Sequence, residues 1–154
     1  MPVDPNAPAD TTMMRIVHDA LRRDLERARV ALTRGSPPED RQRMAIAEHL
    51  RWVMAFLHAH HRSEDEGLYP VVRERDAAAA ALLDDMATDH EAVAVAIIEV
   101  EAAAAAYAER DEREPVVAAL EDLTGVLIPH LRREEDEVMP LVSRAITNAE
   151  WSAI

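Results

Sequence analysis

Apolar residues recur along the chain at alternating steps of three and four, the spacing that lines one face of a helix. Met14, His18, Leu21, Leu25, Ala28 and Leu32 form one such stripe and predict a first helix from near Thr11 to near Arg34. Gly35-Ser36-Pro37-Pro38 stops it. A second stripe, Ile46, His49, Val53, Phe56, His60 and Ser63/Glu64, predicts a helix from near Glu39 to about Tyr69, with Pro70 bending or ending it. Leu83, Met86, His90, Val93, Ile97 and Ala104 predict a third helix, with Asp76 as its N-cap. A charged turn at residues 111–115 follows, and Pro115 suits a first helical position. Val116, Leu120, Leu123, Leu127, His130, Glu134 and Val138 then predict a fourth. Pro129 lies inside that helix and confronts the carbonyl of Gly125, which predicts a kink just before His130. Four amphipathic helices with short connections make an all-α, up-down-up-down four-helix bundle over residues 11–146.

The ends read differently. Residues 1–10, MPVDPNAPAD, are expected to be a disordered lead-in. In the tail, residues 147–154, Thr147 and Glu150 have capping-box spacing ahead of Trp151. That segment reads either as a short turn packed on the bundle or as the start of a truncated further helix, with the second preferred.

Composition supports helix and narrows the chemistry. Aromatic residues make up 3 % of the chain and there are three glycines, so strand signals are scarce. The net charge is −13, from 30 acidic residues against 17 basic ones, and every basic residue is Arg. Such a surface repels phosphate backbones and argues against a nucleic-acid partner. The absence of Cys excludes disulfides, thiolate-bound clusters and thiol nucleophiles. The first residues lack the basic-then-apolar pattern of a signal peptide, and no apolar run is long enough to span a bilayer. A cytoplasmic protein without a membrane partner is the expectation.

The chemistry lies in a repeat. HHRSEDEGLYPVV, from His60 to Val72, aligns with HLRREEDEVMPLV, from His130 to Val142. His18-Asp19-Ala20-Leu21 likewise echoes His90-Glu91-Ala92-Val93. The unit is thus a helix pair, with one His on its first helix and His-x-x-x-Glu on its second. Residues at i and i+4 share a helix face, so His60/Glu64 and His130/Glu134 each present an imidazole beside a carboxylate. In an up-down bundle all four His fall at one level. Buried acids need a cationic partner, and a metal supplies it. Imidazole with carboxylate suits iron, zinc or manganese, and two carboxylates with four His favour two metals over one.

These motifs, His18, His60-x-x-x-Glu64 with Pro70, His90-Glu91, and His130-x-x-x-Glu134 with Pro140, resemble the hemerythrin-like family of HHE cation-binding domains across residues 11–144. The resemblance implies a four-helix bundle around two non-haem iron ions, a di-iron centre with an oxo or hydroxo bridge. It implies Glu64 and Glu134 as bridging ligands, His18 and His60 on one iron, and His90 and His130 on the other. Oxygen-carrying members place a second His four residues along the third helix, where this chain has Ala94. That departure favours reaction with a small-molecule oxidant (peroxide, O2 or nitric oxide) over reversible oxygen storage. The alternatives are a module that binds or senses O2, nitric oxide or iron without catalysis, and a structural bundle whose site holds zinc or stays empty.

Several neighbours compete for these roles. His61 rivals His60 but stands three residues before Glu64, and the repeat places Leu131 at the matching position, so His60 is preferred. Glu135 rivals Glu134, but a step of five from His130 turns away from the face that a step of four keeps. Glu135, Asp136 and Glu137 then read as a solvated face. His49 lies too far along its helix to join the site, and His58 reads as exposed. Tyr69 reads as packing at the end of the bundle, Tyr107 as too distant to join the site, and Met54 and Met86 as core.

Overall fold

In the computed structural model, which describes residues 4–154, helices account for nearly all of the chain. Helix α1 spans Thr12–Thr33 and buries the stripe expected of it, from Met14 through His18 and Leu25 to Leu32. It stops before Gly35, whose φ of 76° needs a residue without a Cβ. Helix α2 spans Asp40–Ser63. At its start the Glu39 N–H donates to the Gln42 side chain at 3.3 Å. The buried face of α2 is not the one predicted. Ala47, Leu50, Met54, Leu57 and His61 form it, with Val53, whereas His49 and Phe56 face outward. Both sets step by three and four. The inward set carries the aliphatic bulk, and burial of that area decides the phase.

Helix α2 also ends earlier than expected. A π-helical turn, Glu64–Leu68, follows it and leads into α3, Tyr69–Arg75. The Tyr69 N–H reaches back five residues to the Glu64 carbonyl. The second half repeats the device. Helix α4, Ala80–Arg110, begins after a short 3-10 turn at which Asp76 accepts the Ala78 N–H at 3.1 Å. Helix α5, Arg113–Arg133, runs through Pro129. It then gives way to a π-turn, Glu134–Val138, and to α6, Met139–Ala145. A proline within a helix crowds the carbonyl four residues back. Pro70 and Pro140 each sit just past the wide turn, which moves that carbonyl aside. The α-helical hydrogen-bond pattern thus continues through Pro129 and changes only at Glu134.

Helix α2 packs on α4, α4 on α5, α5 on α1 and α1 on α2, which closes the four-helix ring. No helix among the described residues is long and apolar enough to cross a membrane. The core has two apolar layers. The lower contains Leu21, Leu25, Leu57, Val93, Leu127 and their neighbours, and the upper Met14, Leu68, Val72, Met86, Val138 and Val142. Between these layers every long helix turns polar side chains inward: His18, His60, His61 and Glu64, His90, and His130 and Glu134. The candidate site is a polar slab between two dry layers.

Residues 4–10 are not the free lead-in expected of them; residues 1–3 lie outside the described part of the chain. Pro8 pairs with Thr147, the Ala9 N–H donates to Ile146 O at 3.0 Å, and the Asn148 N–H donates to Ala7 O at 3.0 Å. Ala9 is buried in the upper apolar layer with Ile146. The segment is ordered because its backbone groups find partners and its small side chain fills a gap. Those partners lie at the far end of the sequence, so local composition does not reveal them. The tail forms a single turn, α7, Asn148–Trp151, with the expected capping box between Thr147 and Glu150. Arg75 holds Glu150 from the end of α3.

Candidate metal centre

All six residues singled out from the repeat converge in the slab. His18, Glu64, His90, His130 and Glu134 are buried, and the His60 side chain is 11 % exposed. His18 Nε2 lies 3.3 Å from His60 Nε2, and His90 Nε2 lies 3.2 Å from His130 Nε2. Each carboxylate stands between these two pairs. Glu64 reaches His60 at 3.1 Å and His90 at 3.5 Å. Glu134 reaches His18 at 3.4 Å and His130 at 3.9 Å.

The outer nitrogens explain why the inner ones converge. Glu135 accepts from His18 Nδ1 at 2.9 Å, and Asp65 accepts from His90 Nδ1 at 2.8 Å. Asp89 stands 3.5 Å from His130 Nδ1. A carboxylate on Nδ1–H fixes the tautomer and leaves Nε2 with a free lone pair, the usual way a protein prepares an imidazole for a metal. The two strongest of these contacts cross between the halves, because Glu135 of the second half holds His18 of the first, and Asp65 of the first holds His90 of the second. Glu135 is thus an anchoring acid and not part of a solvated face. The π-turns make this possible. Each begins at the inward Glu, and the wide turn lets the next residue, Asp65 or Glu135, reach an imidazole of the opposite half.

Electrostatics show what this arrangement lacks. Burial, then repulsion from Glu134, pushes the Glu64 carboxyl well above the usual range. Burial also acts on Glu134, but His18 Nε2 beside it at 3.4 Å and the pull of His130 bring it below its ordinary value. Burial drives His60 down to about 4 and lowers His61 and His130 as well. Both oxygens of Glu64, Oε2 of Glu134, Nδ1 of His130 and Nε2 of His61 are buried without a hydrogen bond. Orphans of this kind are rare in folded proteins, and here they cluster around one point. Two sets of donor atoms are close enough to share an ion: His18, His60, Glu64 and Glu134, and His61, His90 and His130. Neutral imidazoles and paired carboxylates, converging with free lone pairs, fit one or two divalent or trivalent cations.

Four residues of the site were missed by sequence reasoning. His61 is buried at 4 % exposure, and its ring stacks on His90 with centroids 4.1 Å apart. The signal was the second stripe of α2, whose steps from Ala47 arrive at His61 and then Glu64. Asp65 and Glu135 were legible as matching acids in the repeat, one residue after each ligand Glu. Tyr69 is more than packing, because its hydroxyl donates to Glu134 Oε1 at 2.9 Å and its ring lies parallel to His90 at 5.7 Å. Burial, then Glu134 and Glu64, raises its hydroxyl far above the ordinary range, so it stays a donor. The matching position in the second half is Met139, so the repeat gave no hint of it.

Outside the slab, His49, Trp52, Phe56 and His60 stack in sequence along the outward face of α2, with centroids 6.4, 5.7 and 6.2 Å apart. Tyr107 is buried in the lower layer, away from the cluster, with Met54. Met86 lies in the upper layer.

A family model described as the hemerythrin HHE cation binding domain matches residues 4–142 of the chain. No curated protein and no solved structure gives a significant match.

Proposed function

Since the chain belongs to the hemerythrin HHE cation-binding domain family, we propose that its slab holds two non-haem iron ions and reacts there with peroxide or O2. One observation carries the choice of two ions. Each carboxylate stands between the two imidazole pairs, so Glu64 and Glu134 would bridge an ion on His18 and His60 to an ion on His90 and His130. Two irons, when bound, would supply the redox capacity that reducing such an oxidant requires.

The chain's own residues have separable tasks. The imidazoles hold the ions, and Asp65 and Glu135 keep the Nδ1–H groups of His90 and His18 fixed so that those donor atoms do not reorganise. Tyr69 donates to Glu134 and holds that carboxylate in place. The apolar layers above and below exclude water, which leaves approach from the side. A cavity of about 280 Å³ opens between α2 and α4 and is lined by His61, Asp65, Ala87, His90 and Ala94. The small side chain of Ala94 lines this wall, so a small oxidant can approach the cluster from this side. On this reading the partner is a small oxidant, and the protein is cytoplasmic with no role for nucleic acid or membrane.

The test is to make the chain in iron-supplemented medium and measure iron per chain, the visible spectrum and peroxide consumption. Two irons, with peroxide consumption lost in Glu64→Ala, is the expected result. Zinc or no metal in well-folded protein would overturn the iron reading. A stable oxygen adduct that reverses on degassing would replace catalysis with binding.

A further inference from the structure

We infer that His61 is a metal ligand, the third imidazole on the ion held by His90 and His130, supplied from α2 where α4 offers only Ala94. The inference rests on the two-metal reading and specifies its less symmetric half.

Four observations point the same way. A ring nitrogen of His61 lies within 4.8 Å of ring nitrogens of both His90 and His130. Its Nε2 is buried and accepts or donates no hydrogen bond, although the ring is only 4 % exposed. Its centroid stands 4.1 Å from that of His90 and 5.1 Å from that of His130, so the ring borders both. The fourth observation is the repeat. Leu131 occupies the matching place in the second half and is fully buried in the lower apolar layer. The position accepts an aliphatic side chain, yet the first half places an imidazole there with a nitrogen unpaired. An orphaned buried nitrogen disfavours the fold. A metal at the His90–His130 pair gives that nitrogen a partner.

The two ions are then unlike. One has His18 and His60, and the other has His61, His90 and His130, with the carboxylates common to both. The cavity beside Ala94 meets the three-imidazole ion on the face that carries His61.

Cobalt(II) tests the inference, because its visible absorption reports the number and kind of donors. The wild-type chain is titrated with cobalt(II) against a competing chelator, beside His61→Leu, His61→Leu/Ala94→His and His58→Ala. Wild type is expected to take up two ions. His61→Leu, which copies Leu131, is expected to keep one ion at wild-type affinity and to bind the other at least about tenfold more weakly, with an altered band. Adding Ala94→His is expected to restore the second ion, and His58→Ala to leave both unchanged. Thermal melts of the metal-free proteins guard against misfolding: metal-free His61→Leu is expected to melt no lower than metal-free wild type. Two ions bound by His61→Leu with wild-type affinity and spectrum would overturn the role of His61 and leave the two-metal reading standing. Fewer than two ions in wild type would overturn both.

Discussion

Asp65 and Glu135 each grip one imidazole by its outer nitrogen, and neither is among the six residues that converge on the cluster centre. Their importance is orientational. Asp65→Asn and Glu135→Gln should each weaken metal uptake about 10–100-fold with the fold intact, measured by chelator competition and far-ultraviolet circular dichroism. Tyr69 acts on a carboxylate in the same spirit. Tyr69→Phe keeps the ring against His90 and removes the hydroxyl from Glu134, leaving a buried acceptor unpaired. The metal-free variant should lose about 1–3 kcal/mol in urea denaturation without a change in the slope of the transition. At this scale the sequence was informative wherever the repeat doubled a signal. His18 with His90, His60 with His130 and Glu64 with Glu134 were each visible twice. His61 and Tyr69 occur once, opposite Leu131 and Met139, and the comparison that found the others passed over them.

Among the elements, the π-turns do most to shape the site. In a regular helix Glu64 and Asp65 would differ in direction by about 100°, and only one could serve the interior. The wide turn brings both to bear, the first on the cluster and the second on an imidazole of the opposite half. Deleting Glu66, which is exposed, would let the turn close to ordinary helix. Downstream residues would keep their faces, but Asp65 would turn about 100° away from the direction of Glu64 and lose its contact with His90 Nδ1. Helicity should remain near wild type while metal binding is lost, and a deletion variant that still holds two ions would show that the turn is dispensable. The sequence offered Pro70 and Pro140 as breaks but not the form of the break, since a proline reports a missing N–H and a steric clash, not how the backbone relieves them. The phase of α2 was ambiguous for a related reason. Two stripes with the same spacing run side by side on it, one aromatic and one aliphatic, and only packing against α4 selects between them.

For the whole molecule, the bundle is two apolar layers joined through a layer it cannot satisfy unaided. Four stripes of period 3.6 and three short turns were enough to read the fold. The level of the site followed because each stripe turned polar at one matching height. The clasp between residues 4–10 and the tail was illegible, because it consists of backbone contacts between opposite ends of the sequence. An ion that binds only the folded chain adds about 2.7 kcal/mol at a hundredfold excess over its dissociation constant. For a domain of this size that corresponds to roughly 5–10 °C. Stripping the metal with a chelator should lower the melting temperature by that much or more, read by calorimetry, and restoring iron should reverse it.

The crossed anchors carry one more consequence. Each half of the chain holds the acid that steadies the other half's first imidazole, so neither half contains a finished half-site. If the backbone were severed at Asp76, between α3 and α4, the two pieces would each expose an apolar face and an imidazole with no acid behind it. Mixed together, they should remain apart, or associate loosely, until metal is added, and then combine one to one. The same sequence, divided once, would behave as a pair of complementary fragments whose assembly is switched on by an ion.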